Sequence, residues 1–504
     1  MSYTYTVVAE LHTGLAEELH QLRQALAAAL SEAEAFRAER DVARTERGAA
    51  QAERDALRAA LDALHREVDA LKARLAQDSS NSHRPPSSDL PGAKPRVKKK
   101  STGRKRGGQP GREGKARSLL PVDQVTEVVP CKPTHCSACG LALHGEDLSP
   151  ERHQVTEIPK VVPAVVEYRV HALGCSCGAV THGQLPAGVS YSAFGPRLQA
   201  IVATLSAAYR LSKRNVQQVL ADMLGVELSL GSISKLEMAT SSALRAPVEE
   251  AMDVARQQPV AHADETSWKQ GGNKAWLWTM VTNAAIVFVV RFSRGGKVAK
   301  ELLGEDYAGI LISDRWSGYR WVPTERRQLC WSHLIRDFQK LADSRGPAVP
   351  IGKALGLCAQ QMFRAWHQVR DRELTRAQFE AQIAETFRPQ VQRLLAEGAA
   401  LPDGSARKGM CAALLTVEPA MWTFARVDGV EPTNNNAERS IRHAVIWRRT
   451  SFGTQSDAGS TFVERMLTTV ATLRHQRRHV LDYLTAACEA ARHHQPPPPL
   501  INPA

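Results

Sequence analysis

Between residues 11 and 77, apolar positions recur at alternating offsets of four and three. One series runs Leu15, Leu22, Ala29, Phe36, Ala43, Ala50, Leu57, Leu64 and Leu71. The other runs Leu19, Leu26, Ala33, Arg40, Arg47, Arg54, Leu61, Val68 and Leu75. Both fall on one seam of a 3.5-residue repeat, which predicts a long helix that pairs with a second copy as a parallel zipper. Three arginines and Gly48 interrupt the middle of the seam, so the expected homodimer is tightest at its Leu-rich ends. The competing reading is an amphipathic helix lying on its own domain.

The pattern then changes several times. Residues 78–130 lose apolar periodicity and become rich in Ser, Pro, Gly and Lys, as a disordered basic linker does. Residues 131–185 hold VTEIP and VVEYRVHAL, which read as β-strands. Residues 194–256 are helical with a break at Gly225, and Ser229 or Ser232 is placed to cap the next helix, a helix-turn-helix-like arrangement. Residues 257–344 give three strands (PVAHADET, AWLWTMVTN, AIVFVVRF), a helix (GKVAKELLG), a strand ending at Asp314, a short strand at RRQLC and a helix at WSHLIRDFQKLAD. Residues 345–430 are helical and Ala-rich, residues 431–485 return to helix with a loop at TSFGTQSDAGS, and residues 486–504 read as a disordered tail.

Composition narrows the classes. A chain of 504 residues has room for about three domains. No uncharged run reaches the ~18–20 residues of a membrane helix. The first residues lack the basic start and apolar stretch of a signal peptide. Nine cysteines are too sparse for a disulfide scaffold. No membrane partner and a cytoplasmic location are therefore expected. The net charge of +13 is concentrated, because Lys94–Arg117 carries eleven Lys and Arg against one acid. Within it, Lys98, Lys99, Lys100, Arg104, Lys105 and Arg106 are candidate DNA contacts that would neutralise phosphates without reading sequence.

Two constellations carry chemistry. Cys136 and Cys139 form C-x-x-C before Gly140, and Cys175 and Cys177 form C-x-C before Gly178. Two tight thiolate pairs suit tetrahedral Zn²⁺ in a zinc-ribbon-like module, with a redox pair or buried free thiols as rivals. The second constellation is acidic. Asp264 and Asp314 each close a predicted strand, and Glu438 stands near the start of a helix. Three carboxylates meeting at one sheet edge repel unless divalent cations, Mg²⁺ or Mn²⁺, lie between them, an arrangement that serves phosphodiester chemistry. Glu464 is a rival third acid, and Glu265 is expected on the opposite face from Asp264.

HADET, LISDRWSGY, LCWSHLIRDF and TNNNAERSIR, with NSHRPPSSD and GGQPG upstream, together resemble the insertion-sequence-66 family of DDE transposases. The resemblance covers residues 15–485. It implies an α+β multidomain protein: N-terminal coiled coil, small zinc module, helical DNA-binding region, and an RNase H-like α/β catalytic core with a five-stranded sheet. The core would begin at 257–344, be interrupted by a helical insertion at 345–430, and resume at 431–485. It implies that Asp264, Asp314 and Glu438 bind the metals. His333, in a C-x-x-H with Cys330, and Arg439 and Arg442 are then expected near DNA. Thr433, Asn436 and Arg112 depart from the family pattern without removing a metal ligand. The implied activity is that of a bacterial, nucleoid-associated transposase. It would bind terminal inverted repeats and target DNA, cleave and transfer strands, and work with small accessory proteins. The alternatives are a non-catalytic DNA-binding regulator and an RNase H-like nuclease without strand transfer.

Overall fold

A single helix, α1 (Tyr3–Leu75), runs through Gly48 without a break. At 1.5 Å per residue it is about 110 Å long. Of its seam, the described apolar side chains from Leu19 to Leu71 are exposed, Leu22 by 68% and Phe36 by 65%. The computed structural model describes residues 3–75, 117–187, 189, 192–402, 404–405 and 407–502. It divides into two units, Met1–Arg96 and Val97–Ala504.

In the second unit the cysteine region carries two short antiparallel strands, β1 (Ala172–Gly174) and β2 (Val180–His182). The longer strands expected at VTEIP and through most of VVEYRVHAL are absent. Val155, Ile158, Val162 and Val165 face solvent, and no strand among the described residues shares their amides. Four helices follow: α2 (Pro196–Ala203), α3 (Lys213–Leu224), α4 (Leu230–Ala243) and α5 (Arg245–Arg256). Local chemistry sets the α3–α4 turn. Ser212 caps α3, Gly225 ends it with φ 63°, and the Ser229 hydroxyl accepts from Ser232 N at 3.0 Å to open α4. Val202, Val216, Leu220, Leu228, Ile233 and Leu236 make a small core of their own around this turn.

The sheet is built from β3 (Val260–Gln270), β4 (Asn273–Val281), β5 (Ile286–Arg291), β6 (Ile310–Ser313) and β7 (Arg327–Leu329), with helix α6 (Gly296–Leu303) between β5 and β6. The strand order is β5-β4-β3-β6-β7. The first three strands are antiparallel neighbours, joined at β3–β4 by a two-residue Gly271–Gly272 turn with φ 57° and 80°. The last two join in parallel, β3 to β6 and β6 to β7.

Two cores flank this sheet. Trp268, Trp278, Leu277 and Phe288 pack with α13 (Asn435–Ser451), α14 (Asp457–His475) and α15 (Val480–Arg492). On the β6–β7 side, α7 (Trp331–Ala342), α8 (Ala348–Arg370), α9 (Arg376–Gln382), α10 (Arg388–Ala399), α11 (Lys408–Leu415) and α12 (Thr423–Arg426) close around Trp331, Phe338, Met362, Phe379, Trp422 and Phe424, with Ile312 and Leu329 from the sheet. The outer edge of β5 is capped by α14. Glu464 accepts from Val290 N at 2.6 Å, Thr468 from Phe288 N at 3.0 Å and Thr472 from Ile286 N at 3.1 Å. Four residues of helix rise about 6 Å and two residues of strand about 6.7 Å, so the two spacings match and the edge amides are satisfied.

The C-terminal tail corrects the expectation of disorder over 486–504. Residues to Arg492 complete α15, and Leu500 is fully buried. Arg478 donates to the Leu500 and Pro499 carbonyls at 2.8 and 3.0 Å, and Tyr483 OH to Pro498 O at 2.9 Å. The prolines remove amide donors, and the carbonyls they leave are taken up by these side chains. No helix among the described residues is long and apolar enough to cross a membrane.

Candidate active site

Asp314 directly follows β6, as its sequence context predicts. Asp264 does not end its strand. Residues 266–270 continue pairing with β4, so β3 runs on to Gln270. What stops near Asp264 is the parallel pairing with β6, in which Val260 faces Ile310 and His262 faces Ile312. Two residues further along that register Asp264 is level with Asp314, and the period of two puts both carboxylates on one face. Asp264 Oδ1 accepts from Glu265 N at 2.9 Å, and Asp314 Oδ1 from Trp316 N at 2.8 Å. Burial, then the charges of Glu265, Asp314 and Glu438, raise the Asp264 carboxyl well above the usual carboxylate range.

Glu438 enters from the first turn of α13. The residue that docks this turn is Asn434, which is buried. Its Nδ2 donates to Ala263 O at 2.8 Å, its Oδ1 accepts from His262 Nδ1 at 3.1 Å, and its backbone N–H meets Cys330 Sγ at 3.1 Å. Asn436 Nδ2 reaches His262 Nε2 at 3.3 Å. The amide thus ties the start of α13 to β3 one residue before Asp264. Trp331 N donates to Pro432 O at 2.9 Å, which joins the same turn to α7. Cys330 is the N-cap of α7 and is buried. His333, one turn on, faces Glu438 with Nδ1 3.7 Å from Oε1.

Glu265 lies on the other face of β3, as expected. It accepts from Tyr319 OH at 2.8 Å and pairs with Arg294 at 2.6 Å. The Arg294 guanidinium lies between the Trp316 and Trp276 rings, 3.9 and 4.8 Å from their centroids. Trp316 Nε1 donates back to Arg294 O, so this cluster braces the Asp314 loop. Glu464 is occupied at the far edge of the sheet with Val290 N and, at 2.9 Å, with Arg291.

Arg439 is exposed and bonds to Asn436. Arg442 is exposed on the same helix. Beside them a cleft of about 260 Å³ is lined by Arg210, Arg439, His443, Arg474 and His475 with Phe288 and Leu467. Arg210 lies 3.1 Å from His443 Nδ1. Burial and the charges of Arg210, Arg474 and Arg442 push the His443 imidazole below its ordinary value. Cations converge here with no acid in the lining, which is the electrostatics of a polyanion surface.

Lys98, Lys99, Lys100, Arg104, Lys105 and Arg106 lie outside the described residues. The cysteine pairs form two separate turns. Gly140 and Gly178 have φ 73° and 89°, and amides close back at Cys136 O and Cys175 O, each at 2.9 Å. The two pairs are not drawn into one four-thiolate group. Among the described residues, the group of three or more metal-ligand atoms within 4.8 Å of one another is Cys330, His333 and Glu438. Sequence reasoning named Asn434 only as part of a polar run, and it missed His262, Arg294 and Arg327. The buried Arg327 reaches the Asp314 carbonyl at 3.5 Å, and nothing in its local sequence marks it.

Comparison with known families matches residues 191–461 to the model described as "Transposase IS66 family", an interval that contains all three acids. Residues 18–118 match a family of unknown function. An uncharacterized protein, y4hP, from Sinorhizobium fredii is 24% identical over 383 residues, covering 68% of this chain and 68% of that protein.

Proposed function

The chain belongs to the IS66 family of transposases, and from that premise we propose that it cleaves and joins DNA through a triad of Asp264, Asp314 and Glu438. A transposase of this family acts on DNA with divalent metal ions. The observation that carries the proposal is the alignment of Asp264 with Asp314 where β6 ends, with Glu438 delivered beside them by an Asn434-docked helix. A parallel strand pair beside antiparallel neighbours, in the order β5-β4-β3-β6-β7, supports reading this as an RNase H-like core with the acids at its C-terminal edge.

The donor set fits Mg²⁺ or Mn²⁺: three hard carboxylates, one of them, Asp264, with its proton affinity raised by burial and by the charges of Glu265, Asp314 and Glu438. When bound there, such ions make water or a 3′-hydroxyl more nucleophilic and neutralise charge at the phosphate. The chain's own part is positional. Asp264 and Asp314 are held by backbone amides, Asn434 sets the approach of Glu438, and Arg294 with Glu265 stiffens the Asp314 loop from behind. Arg439, Arg442, Arg210 and Arg474 supply the positive surface along which a DNA backbone can run, and His333 lies beside Glu438.

The same reading gives roles to the remaining segments. The exposed seam of α1 supports a homodimer that brings two terminal inverted repeats together, with target DNA as the further partner and room for accessory proteins. The α3–α4 turn and the basic tract add DNA affinity. The knuckles at Cys136/Cys139 and Cys175/Cys177 support Zn²⁺ binding. Amide contacts lower the Cys136 and Cys175 thiols, which favours the thiolates such an ion needs.

The test uses a labelled duplex carrying the element's own end with Mg²⁺ or Mn²⁺. Wild type should yield cleaved and joined products. Asp264→Asn, Asp314→Asn and Glu438→Gln should each bind DNA yet yield none. Joined products from any of the three variants would reject the triad. Binding without cleavage by wild type, even with accessory proteins supplied, would favour a DNA-binding regulator. Cleavage without joining would favour a nuclease.

A further inference from the structure

We propose that Cys330, His333 and Glu438 form a second metal site, selective for a zinc-class ion, that shares Glu438 with the triad. The sulfur, an imidazole nitrogen and a carboxylate oxygen lie within 4.8 Å of one another. His333 Nδ1 and Glu438 Oε1 are both buried and both lack a hydrogen-bond partner. At 3.7 Å they are too far apart to bond each other. Two buried polar atoms left facing each other in this way need an explanation, and a cation between them is one that satisfies both. Tetrahedral bonds of about 2.0–2.3 Å hold neighbouring ligand atoms roughly 3.3–3.6 Å apart, close to the 3.7 Å between His333 Nδ1 and Glu438 Oε1.

The sulfur side is built for a thiolate. Cys330 caps the twelve-residue helix α7, where the helix dipole favours negative charge. The amide of Asn434 lies 3.1 Å from Sγ, and the amides of His333 and Ser332 also face it. Such N–H···S contacts recur around metal-bound thiolates and tune them. Without a cation, burial disfavours that same thiolate. One sulfur, one nitrogen and one oxygen suit Zn²⁺ and its neighbours, whereas Mg²⁺ takes oxygen alone. Three protein ligands leave a fourth position open.

The site has a consequence for the reaction, and that consequence alone rests on the triad proposed above. A zinc-class ion on Glu438 Oε1 withdraws one oxygen from the acids that serve Mg²⁺. The two metals are therefore coupled, and a zinc-class ion opposes Mg²⁺-dependent cleavage.

The full-length protein, stripped with chelator, would be titrated with Co²⁺. The readouts are equilibrium dialysis and the thiolate-to-cobalt absorption band. Wild type is compared with Cys330→Ser and His333→Gln, all with the other four candidate cysteines intact so that their contribution cancels in the difference. Each variant should bind one fewer ion per chain, or bind it at least tenfold more weakly, and Cys330→Ser should lose part of the absorption. Equal stoichiometry and affinity in all three proteins would overturn the site. Should Cys330→Ser fail to fold, His333→Gln decides, since His333 is a third exposed and not a core residue. The measurement needs no DNA, so failure of the cleavage assay leaves its outcome untouched.

Discussion

Replacing Asn434 by Ala removes the side chain that docks α13 on β3. Asn434 is 1% exposed, and its amide satisfies two buried groups, Ala263 O at 2.8 Å and His262 Nδ1 at 3.1 Å. Leaving a buried donor or acceptor unpaired costs about 1–3 kcal/mol, so the pair predicts a loss of about 2–6 kcal/mol. The lower end is expected if water enters the space left. The backbone N–H to Cys330 Sγ survives and limits the damage. Glu438 sits one turn beyond Asn434, so its carboxylate loses registration with Asp264. A displacement near 1 Å is enough to lower catalysis about 100-fold. Denaturant unfolding of Asn434→Ala, with the exposed Asn435→Ala as control, measures the first effect. Metal-dependent cleavage under conditions where both variants remain folded measures the second. The control should stay within about 0.5 kcal/mol of wild type. A loss under about 1 kcal/mol in Asn434→Ala with cleavage intact would show that α13 is held by its apolar face alone, and the account of the site would be wrong.

Burial pushes the His262 imidazole down to about 4 from an ordinary 6.5. The unfolded chain takes up a proton near pH 6.5 that the folded site refuses until about pH 4. Stability should therefore be level above pH 6.5 and fall by about 3 kcal/mol between 6.5 and 4, and His262→Gln should flatten that slope in a pH series of unfolding curves. Asp264→Asn removes a buried charge crowded by Glu265, Asp314 and Glu438. In chelator it should raise stability by roughly 0.5–2 kcal/mol, and it should blunt the Mg²⁺-dependent rise in melting temperature expected of wild type. Leu500→Ala should cost about 2–5 kcal/mol by thermal unfolding, because Leu500 is fully buried. Arg47→Leu fills a charged position of the α1 seam with an apolar side chain, and light scattering should show a dimer that persists at lower concentration than wild type.

Much of the local structure was legible in the residues. The heptad seam predicts α1, and Ser212, Gly225 and Ser229 mark the ends of α3 and α4 through their own capping chemistry. Apolar runs between turn residues predict β3 to β6, and the glycines after each cysteine pair predict positive φ. These features depend on neighbours a few positions away, and the chain carries that information directly. Reading fails where a partner is distant. VTEIP has the composition of a strand, yet a strand exists only where another shares its amides. The polyproline tail has the composition of disorder, yet Arg478 and Tyr483 hold its carbonyls.

The acids divide along the same line. Their types, with the resemblance carried by the motifs around them, raise the expectation of phosphodiester chemistry without any coordinates. That Asp264 lies inside β3, level with Asp314, follows from a parallel register between segments fifty residues apart. That Glu438 joins them follows from Asn434 reaching Ala263 across 171 residues. The residues themselves determined which groups were available and which helices and strands would carry them. Only tertiary structure decided which groups meet, because hydrogen bonds and packing between distant segments form only once the sheet and its two flanking cores exist.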